Sequence, residues 1–242
     1  MSPAGLGFGH DPFLLIPGLV CTAEIFAPQI PVLWPHGPVQ VANTLSGETM
    51  AEMARAILAD APPTFALIGF SMGGYISFEI LRQARERVTS LALIDTSARP
   101  DTDDQTANRR ASVARARDGD YAAVLDSLVP LLFHPDHRQD PALIAANRRM
   151  GLAVGVEGFA RQQEAVISRP DSRPDLAAIR VPAVVIVGDR DTLTPPDRSL
   201  EMAKGIAGAR LEIIPGCGHA STLERPERVN QALEEWITQD WS

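Results

Sequence analysis

The fold of this chain is decided by residues 65–73, which read Phe-Ala-Leu-Ile-Gly-Phe-Ser-Met-Gly. The apolar residues at the start of this stretch predict a strand buried on both faces, and residues 75–84 have the pattern of a helix. Between them Ser71 is the centre of a Gly-x-Ser-x-Gly turn. Glycines at 69 and 73 leave room for a strained turn that exposes the serine hydroxyl. The context favours a nucleophilic serine over an ordinary Gly-Ser turn.

Short apolar segments alternate with amphipathic segments of helix length along the chain. The predicted strands are residues 13–16, 39–42, 64–68, 90–94, 181–187 and 210–214. Residues 50–58 and 229–237 have apolar side chains at helical spacing. Strands that alternate with helices are typical of a parallel sheet with helices on both faces. We therefore predict an α/β fold with a mostly parallel central sheet of about six strands, flanked by helices.

Residues 96–175 differ from the rest because they contain helix-like runs and no convincing strand. Prolines interrupt this region and bracket its end, at Pro170 and Pro174. The helical runs are residues 107–117, 121–132, 141–150 and 156–168. We predict that residues 1–95 and 176–242 form the core, and that residues 96–175 form a helical cap inserted into it.

Composition excludes several classes of protein. The 242 residues include 30 acidic and 22 basic side chains, and the net charge of -8 disfavours nucleic-acid and membrane-surface partners. Cys21 and Cys217 are too few for a disulfide framework and belong to no Cys/His ligand cluster, so we expect no metal site. Residues 1–11 carry no targeting pattern, and a cytoplasmic location is the expectation.

A serine hydroxyl becomes a nucleophile only when a base removes its proton. The candidate bases are His10, His36, His134, His137 and His219. Only His219 follows a late strand through a flexible loop, Pro-Gly-Cys-Gly at 215–218, that can bring an imidazole across the sheet edge. The other four fall in the N-terminal segment, in a Pro/Gly turn and in the helical insertion, where hydrogen-bonded or surface histidines are common. We predict that His219 is the base.

The base needs a carboxylate that holds its tautomer and stabilises the imidazolium. Asp189 and Asp191 lie just beyond the carboxyl end of the strand at 181–187, where α/β sheets place their sites. We predict Asp191, because Asp189 is nearer the strand and could pair with an arginine or cap the turn. Asp95, after the strand at 90–94, is the competing candidate, and a simple turn residue is the favoured interpretation of it.

These motifs resemble the α/β-hydrolase superfamily. The Gly-x-Ser-x-Gly turn, Asp191 within Gly188 to Pro195, and Gly218-His219 follow one another in the chain order Ser, Asp, His of that family. The resemblance covers about residues 13–94 and 181–236. The helical insertion matches the superfamily's cap in position but not in any specific motif.

The resemblance implies an oxyanion hole made of the backbone amides of Leu19 and Met72. Pro17 stands where the family commonly has histidine. Because the donor at Leu19 is a main-chain group, this departure should not remove the hole.

The resemblance also implies a serine hydrolase of small carboxylic esters or lactones that forms an acyl-enzyme and needs no cofactor. Carbon-carbon bond hydrolysis, perhydrolysis and a triad-dependent lyase reaction are alternatives on the same fold, and a non-catalytic ligand-binding protein is another. Substrate choice belongs to the cap, and the residues predicted to line its pocket are Leu128, Leu132, Phe133 and Phe159. Arginines at 109–110, 115, 117 and 148–149 could attract an anionic substrate, although solvated helix faces are the favoured interpretation.

Overall fold

The computed structural model describes residues 11–239. Within this range six strands form one sheet in the order β2-β1-β3-β4-β5-β6, and every neighbouring pair is parallel. The predicted α/β class and strand number are confirmed. Residues 1–10, which include His10 and the start of the predicted core unit, lie outside the described residues, as do residues 240–242. The strands are β1 (Phe13–Ile16), β2 (Val39–Val41), β3 (Phe65–Phe70), β4 (Val88–Ile94), β5 (Ala183–Gly188) and β6 (Arg210–Ile214).

The central strands are apolar throughout because helices cover both faces of the sheet. Successive side chains of a strand point to opposite faces. Phe65 and Leu67 of β3 accordingly pack into one hydrophobic core, and Ala66 and Ile68 pack into another. Because all neighbouring strands are parallel, their carboxyl ends lie at one edge of the sheet.

Helices follow most of the strands, as the alternating pattern predicts. Met53, Ile76 and Met202 fill the core on one face of the sheet, and Leu33 and Trp236 fill the core on the other. Outside the region between β4 and β5, the helices are α1 (Ile30–Leu33), α2 (Met50–Asp60), α3 (Met72–Ala84), α7 (Pro196–Gly205), α8 (Ser221–Glu224) and α9 (Pro226–Thr238).

The region between β4 and β5 is helical, as predicted. It contains α4 (Asp103–Arg115), α5 (Tyr121–Leu132) and α6 (Pro141–Ile167). Gly155 has a φ of 73° and breaks α6 at the gap between the two predicted runs. These helices share a small apolar core with Val20 of the β1 loop. Among residues 11–239, no helix is both long and apolar enough to cross a membrane.

Candidate active site

Ser71 lies in a strained turn between β3 and α3. Its φ of 52° and ψ of −116° are in a region that residues other than glycine rarely occupy. A Cβ atom on Gly73 would overlap the carbonyl oxygen of Ile16, and one on Gly69 would lie 2.6 Å from the carbonyl oxygen of Gly73. Thr96 Oγ1 donates a hydrogen bond of 2.7 Å to the Ser71 carbonyl and holds the turn from β4. The turn therefore presents the Ser71 hydroxyl beyond the carboxyl end of the sheet.

Ser71, His219 and Asp191 form one continuous series of hydrogen bonds. His219 Nε2 lies 2.8 Å from Ser71 Oγ, and His219 Nδ1 lies 2.8 Å from Asp191 Oδ2. The other carboxylate oxygen of Asp191 accepts hydrogen bonds from the backbone amides of Leu193 and Thr194, at 2.8 and 2.9 Å. The structure thus brings together all three residues that the motifs indicated.

Electrostatics fix the protonation of this series. Burial favours the neutral form of Asp191, but the nearby His219 and the hydrogen bonds from Thr194 outweigh it and lower the pKa of the carboxyl group. Burial likewise lowers the pKa of His219, but the charge of Asp191 and the hydrogen bond to it prevail and raise that pKa above 6.5. Because an ionised carboxylate only accepts, Nδ1 of His219 donates to it, and Nε2 is left to accept from Ser71.

The loop that carries His219 is held from α5 and α8. The backbone amides of His219 and Ala220 both donate to the carbonyl oxygen of Leu132, at 2.8 and 3.0 Å. Glu224 accepts hydrogen bonds of 2.8 Å from the amides of Gly218 and His134. The helical region between β4 and β5 therefore holds the backbone at His219 directly, through Leu132 of α5.

Asp95 does not reach His219 within hydrogen-bond distance. It is fully buried, and its carboxylate accepts from the Gly188 amide at 3.1 Å and from the amide and hydroxyl of Ser221 at 3.0 and 2.5 Å. Burial, and then the charge of Asp191, raise its pKa to about 8. The interpretation of Asp95 as a simple turn residue is incomplete, because its side chain joins the end of β5 to the start of α8.

Leu19 and Met72 both line the cavity at Ser71. Met72 is the first residue of α3, so its N–H has no acceptor within the helix. The loop of Leu19 is held at Val20, whose φ is 53° and whose amide donates 2.9 Å to Gln162 Oε1. Gln162 in turn donates 3.1 Å to Thr44 Oγ1. Sequence reasoning missed Gln162, because a glutamine within a helix gives no local signal of such a role.

A cavity of about 390 Å³ opens at Ser71 and His219. Leu128, Leu132 and Phe133 line it, but Phe159 does not. Phe159 is fully buried among α4, α5 and α6, with its ring centroid 5.6 Å from that of Tyr121. The choice of Phe159 as a lining residue is therefore corrected: its side chain is part of the apolar core of the helical region.

Part of the cavity lining is polar. Arg99, Arg109, Arg169 and Arg198 line it, together with Tyr75, Gln163 and other polar residues. The interpretation of Arg109 as part of a solvated face is wrong. The interpretation as solvated helix faces holds for four other arginines, which are about half exposed or more and pair with surface carboxylates: Arg115, Arg117, Arg148 and Arg149.

The two thiols have different surroundings. Cys21 lines the cavity, whereas Cys217 is buried within the loop that leads to His219, and both are free. Burial raises the pKa of the Cys21 thiol to about 12. Among residues 11–239, no group of three or more His, Cys, Asp or Glu side chains could hold a metal ion.

Comparisons with known proteins agree with this fold. A family model described as alpha/beta hydrolase fold matches residues 35–226. An esterase from Thermogutta terrifontis, solved with malate bound, is 32% identical with a TM-score of 0.85 over 94% of this chain and 89% of that one. The enol-lactonase from Burkholderia xenovorans LB400 is 26% identical with a TM-score of 0.85, over 96% and 93% of the two chains. The pimeloyl-[acyl-carrier protein] methyl ester esterase of Nitrosomonas europaea is 26% identical over 193 residues, 75% of this chain and 74% of that protein. This chain belongs to the α/β-hydrolase family.

Proposed function

We propose that this protein is a serine hydrolase that cleaves small carboxylic esters or lactones through an acyl-enzyme on Ser71. The observation that carries the proposal is the unbroken series of short hydrogen bonds from Ser71 through His219 to Asp191, at the mouth of a largely apolar cavity. The relatives named esterase and enol-lactonase support the same reaction class.

In the first half of the proposed reaction, Ser71 Oγ attacks the substrate carbonyl carbon while His219 Nε2 takes the hydroxyl proton. Asp191 accepts from Nδ1 and stabilises the imidazolium as it forms. The amides of Leu19 and Met72 donate to the oxyanion, and each such donor contributes about 3 to 4 kcal/mol in comparable sites. The tetrahedral intermediate collapses as the carbon-oxygen bond to the leaving alkoxide breaks, and the imidazolium donates its proton to that oxygen.

In the second half, His219 removes a proton from water, which attacks the acyl carbon. The bond to Ser71 breaks, and the imidazolium returns a proton to the serine oxygen. The carboxylic acid is released, and the site regains its first protonation state. Both halves use the same base, whose raised pKa comes from Asp191.

The helical region serves as the proposed substrate-selecting unit. Residues 96–175 would form a cap over the core of residues 1–95 and 176–242. Leu128, Leu132 and Phe133 supply one wall of the cavity, and Leu132 also holds the His219 loop. The expected cytoplasmic location, and the expectation of neither nucleic-acid nor membrane partners, stay predictions.

A fluorophosphonate probe tests the proposal because it reacts with an activated serine. The wild type should be labelled, and Ser71→Ala should lose both labelling and roughly 10⁵ to 10⁶ of its ester turnover. Ser112→Ala is the matched control, since Ser112 also lines the cavity but lies outside the hydrogen-bonded series. Labelling of Ser71→Ala equal to that of the wild type would refute the proposal. A folded wild type that binds esters without labelling or turnover would instead indicate a ligand-binding protein.

A further inference from the structure

We infer that the cavity contains a second recognition site, for a free carboxylate of the substrate, formed by Arg109 and Arg169 beside Tyr75. This rests on the proposed function and narrows its substrates to half-esters of dicarboxylic acids and to lactones that carry a carboxylate.

The polar part of the cavity carries an excess of positive charge. Four arginines line it, and none of the described residues in the lining is Asp or Glu. Arg99 is paired through two hydrogen bonds with Glu201, at 2.8 and 2.9 Å. Arg198 lies 3.2 Å from Asp197. These two cations therefore each have a carboxylate of their own.

Arg109 and Arg169 share a single carboxylate. Nε of Arg109 lies 2.7 Å from one oxygen of Asp101, and Nη1 of Arg169 lies 2.6 Å from the other. The side chain of Asp101 is 1% exposed and that of Arg169 is 6% exposed. Two guanidinium groups and one carboxylate leave one unbalanced positive charge in a cluster that is largely, although not fully, removed from water. A charge in such a place is costly unless an opposite charge accompanies it.

Arg169 is already oriented to receive that opposite charge. Its Nε donates 3.0 Å to the Arg99 carbonyl, and its Nη1 donates 2.8 Å to the Val166 carbonyl as well as to Asp101. Its guanidinium lies 4.3 Å from the ring centroid of Tyr75. Within residues 11–239, Nη2 of Arg169 makes no hydrogen bond, although the residue lines the cavity. A carboxylate oxygen would supply the missing acceptor.

Arg109 is oriented in a similar way from the neighbouring helix. Its Nη1 donates 2.9 Å to Gln163 Oε1, and its side chain is 23% exposed. The two guanidinium groups are thus held by fixed partners before any substrate arrives, which reduces the ordering that binding requires. A pair of fixed donors of this kind selects a planar anion over a neutral group.

Tyr75 connects this pair to Ser71, because it contacts Arg169 and lies one helical turn beyond the serine. Tyr75 lies four residues after Ser71 on α3, about 6 Å along the helix axis. Both residues line the same cavity. A substrate whose carbonyl carbon is at Ser71 would place a carboxylate at Arg169 through a short alkyl chain. The free carboxylate then belongs to a small dicarboxylic acid, of which the scissile ester occupies the other end.

Two p-nitrophenyl esters of equal chain length test the inference, the mono-ester of adipic acid and the ester of hexanoic acid. The wild type should have a kcat/KM at least tenfold higher for the adipate half-ester, as expected for a charge-assisted contact. Arg109→Gln and Arg169→Gln should bring this ratio towards one, mainly through KM of the half-ester. Arg169→Lys should retain part of the preference because it keeps the charge but loses the planar fork.

Arg117→Gln is the matched control. Arg117 lies just beyond α4, pairs with Glu157, is 55% exposed and does not line the cavity. Its replacement makes the same change in net charge and breaks only a surface ion pair outside the cavity. The control should keep the wild-type ratio. If the wild type hydrolyses the adipate half-ester and the hexanoate ester with nearly equal kcat/KM, the inference is overturned whatever the variants do. An equal loss of activity on the two esters in the Arg109 and Arg169 variants overturns it as well.

The same experiment separates the inference from the function on which it rests. If neither ester is hydrolysed, the proposed function is wrong. The carboxylate site is then decided by thermal unfolding with adipate. Protection that Arg109→Gln abolishes and Arg117→Gln retains supports the site, and absence of protection overturns it.

Discussion

Replacement of Asp191 by Asn separates the two tasks of this carboxylate. Oδ1 accepts from the amides of Leu193 and Thr194 and holds the turn, whereas Oδ2 accepts from His219 Nδ1. The Asn side chain keeps one oxygen for the two amides, so the loop should retain its shape. Its amide nitrogen faces Nδ1 and cannot accept from it. The expected defect is therefore in the tautomer and charge of His219 and not in folding.

The structure also bounds the size of this defect. An Asn that imposes the wrong tautomer costs about 10⁴ in kcat in serine proteases, or about 5.4 kcal/mol. In this protein Thr194 Oγ1 lies 3.3 Å from His219 Nδ1 and can accept in place of Asp191. We therefore expect a smaller loss for Asp191→Asn, of about 10² to 10⁴. Adding Thr194→Val should remove the substitute acceptor and bring the loss to the upper end of that range.

Steady-state hydrolysis of p-nitrophenyl hexanoate measures these losses, and circular dichroism checks that the variants are folded. Asp189→Asn is the control from the same loop, because Asp189 accepts from the Cys217 amide at 3.1 Å and has no bond to His219. Its activity should stay within a few-fold of the wild type. A loss below tenfold in the folded Asp191→Asn variant would refute the assigned role, as would a greater loss in Asp95→Asn.

Three further predictions follow from burial and charge. In a pH-rate profile, kcat/KM should rise with pH through a midpoint above 6.5, because His219 acts as the neutral base and its pKa is raised. Asp191→Asn should shift that midpoint to lower pH, because the carboxylate that raises the pKa of His219 is removed. Gly73→Ala should destabilise the protein by about 1 to 3 kcal/mol in urea unfolding, because its Cβ would overlap the β1 backbone, and an unchanged midpoint would contradict this. Phe159→Ala should cost about 3 to 5 kcal/mol in the same assay without changing the preference between the two esters, whereas a changed preference would place Phe159 at the substrate.

Features with a local cause could be predicted from the sequence. The apolar run of β3 reflects burial on both faces of the sheet, and all six strands begin within about two residues of their predicted starts. The break at Gly155 also has a local signal, because the helical runs on either side are separated there. The proximity of Ser71, Asp191 and His219 could be predicted without knowledge of distant contacts, since each residue follows a strand and parallel strands bring their carboxyl ends to one edge of the sheet.

Features that depend on long-range contacts could not be predicted. Asp101 meets Arg169 across 68 residues, and Gln162 meets Thr44 across 118. Neither pair has a spacing that indicates contact. The sequence predicts Phe159 at the substrate because it lies in a helical run of the predicted cap, but apolar residues occur on more than one side of α6. Only the packing of α4 and α5 against that helix decides which side faces the cavity.

Asp95 and Asp191 follow adjacent strands, yet their surroundings drive their pKa values in opposite directions. Asp191 is hydrogen-bonded to His219, whose charge lowers its pKa, whereas at Asp95 burial and the repulsion of Asp191 outweigh the attraction of His219 and the hydrogen bonds from Ser221. Such a separation assigns different tasks to two neighbouring carboxyl groups. The ionised Asp191 can stabilise the imidazolium of His219, whereas Asp95 can serve as a structural link between the end of β5 and the start of α8.

The raised pKa of Asp95 predicts a pH-dependent contribution to stability. Since burial raises this pKa to about 8, the contribution of Asp95 to the free energy of unfolding is greatest at low pH and declines between about pH 4 and 8. The stability lost in Asp95→Asn, measured by urea unfolding, should therefore be larger at pH 5 than at pH 8. A loss that grows with pH would show that the ionised form of Asp95 is the one that holds these loops together.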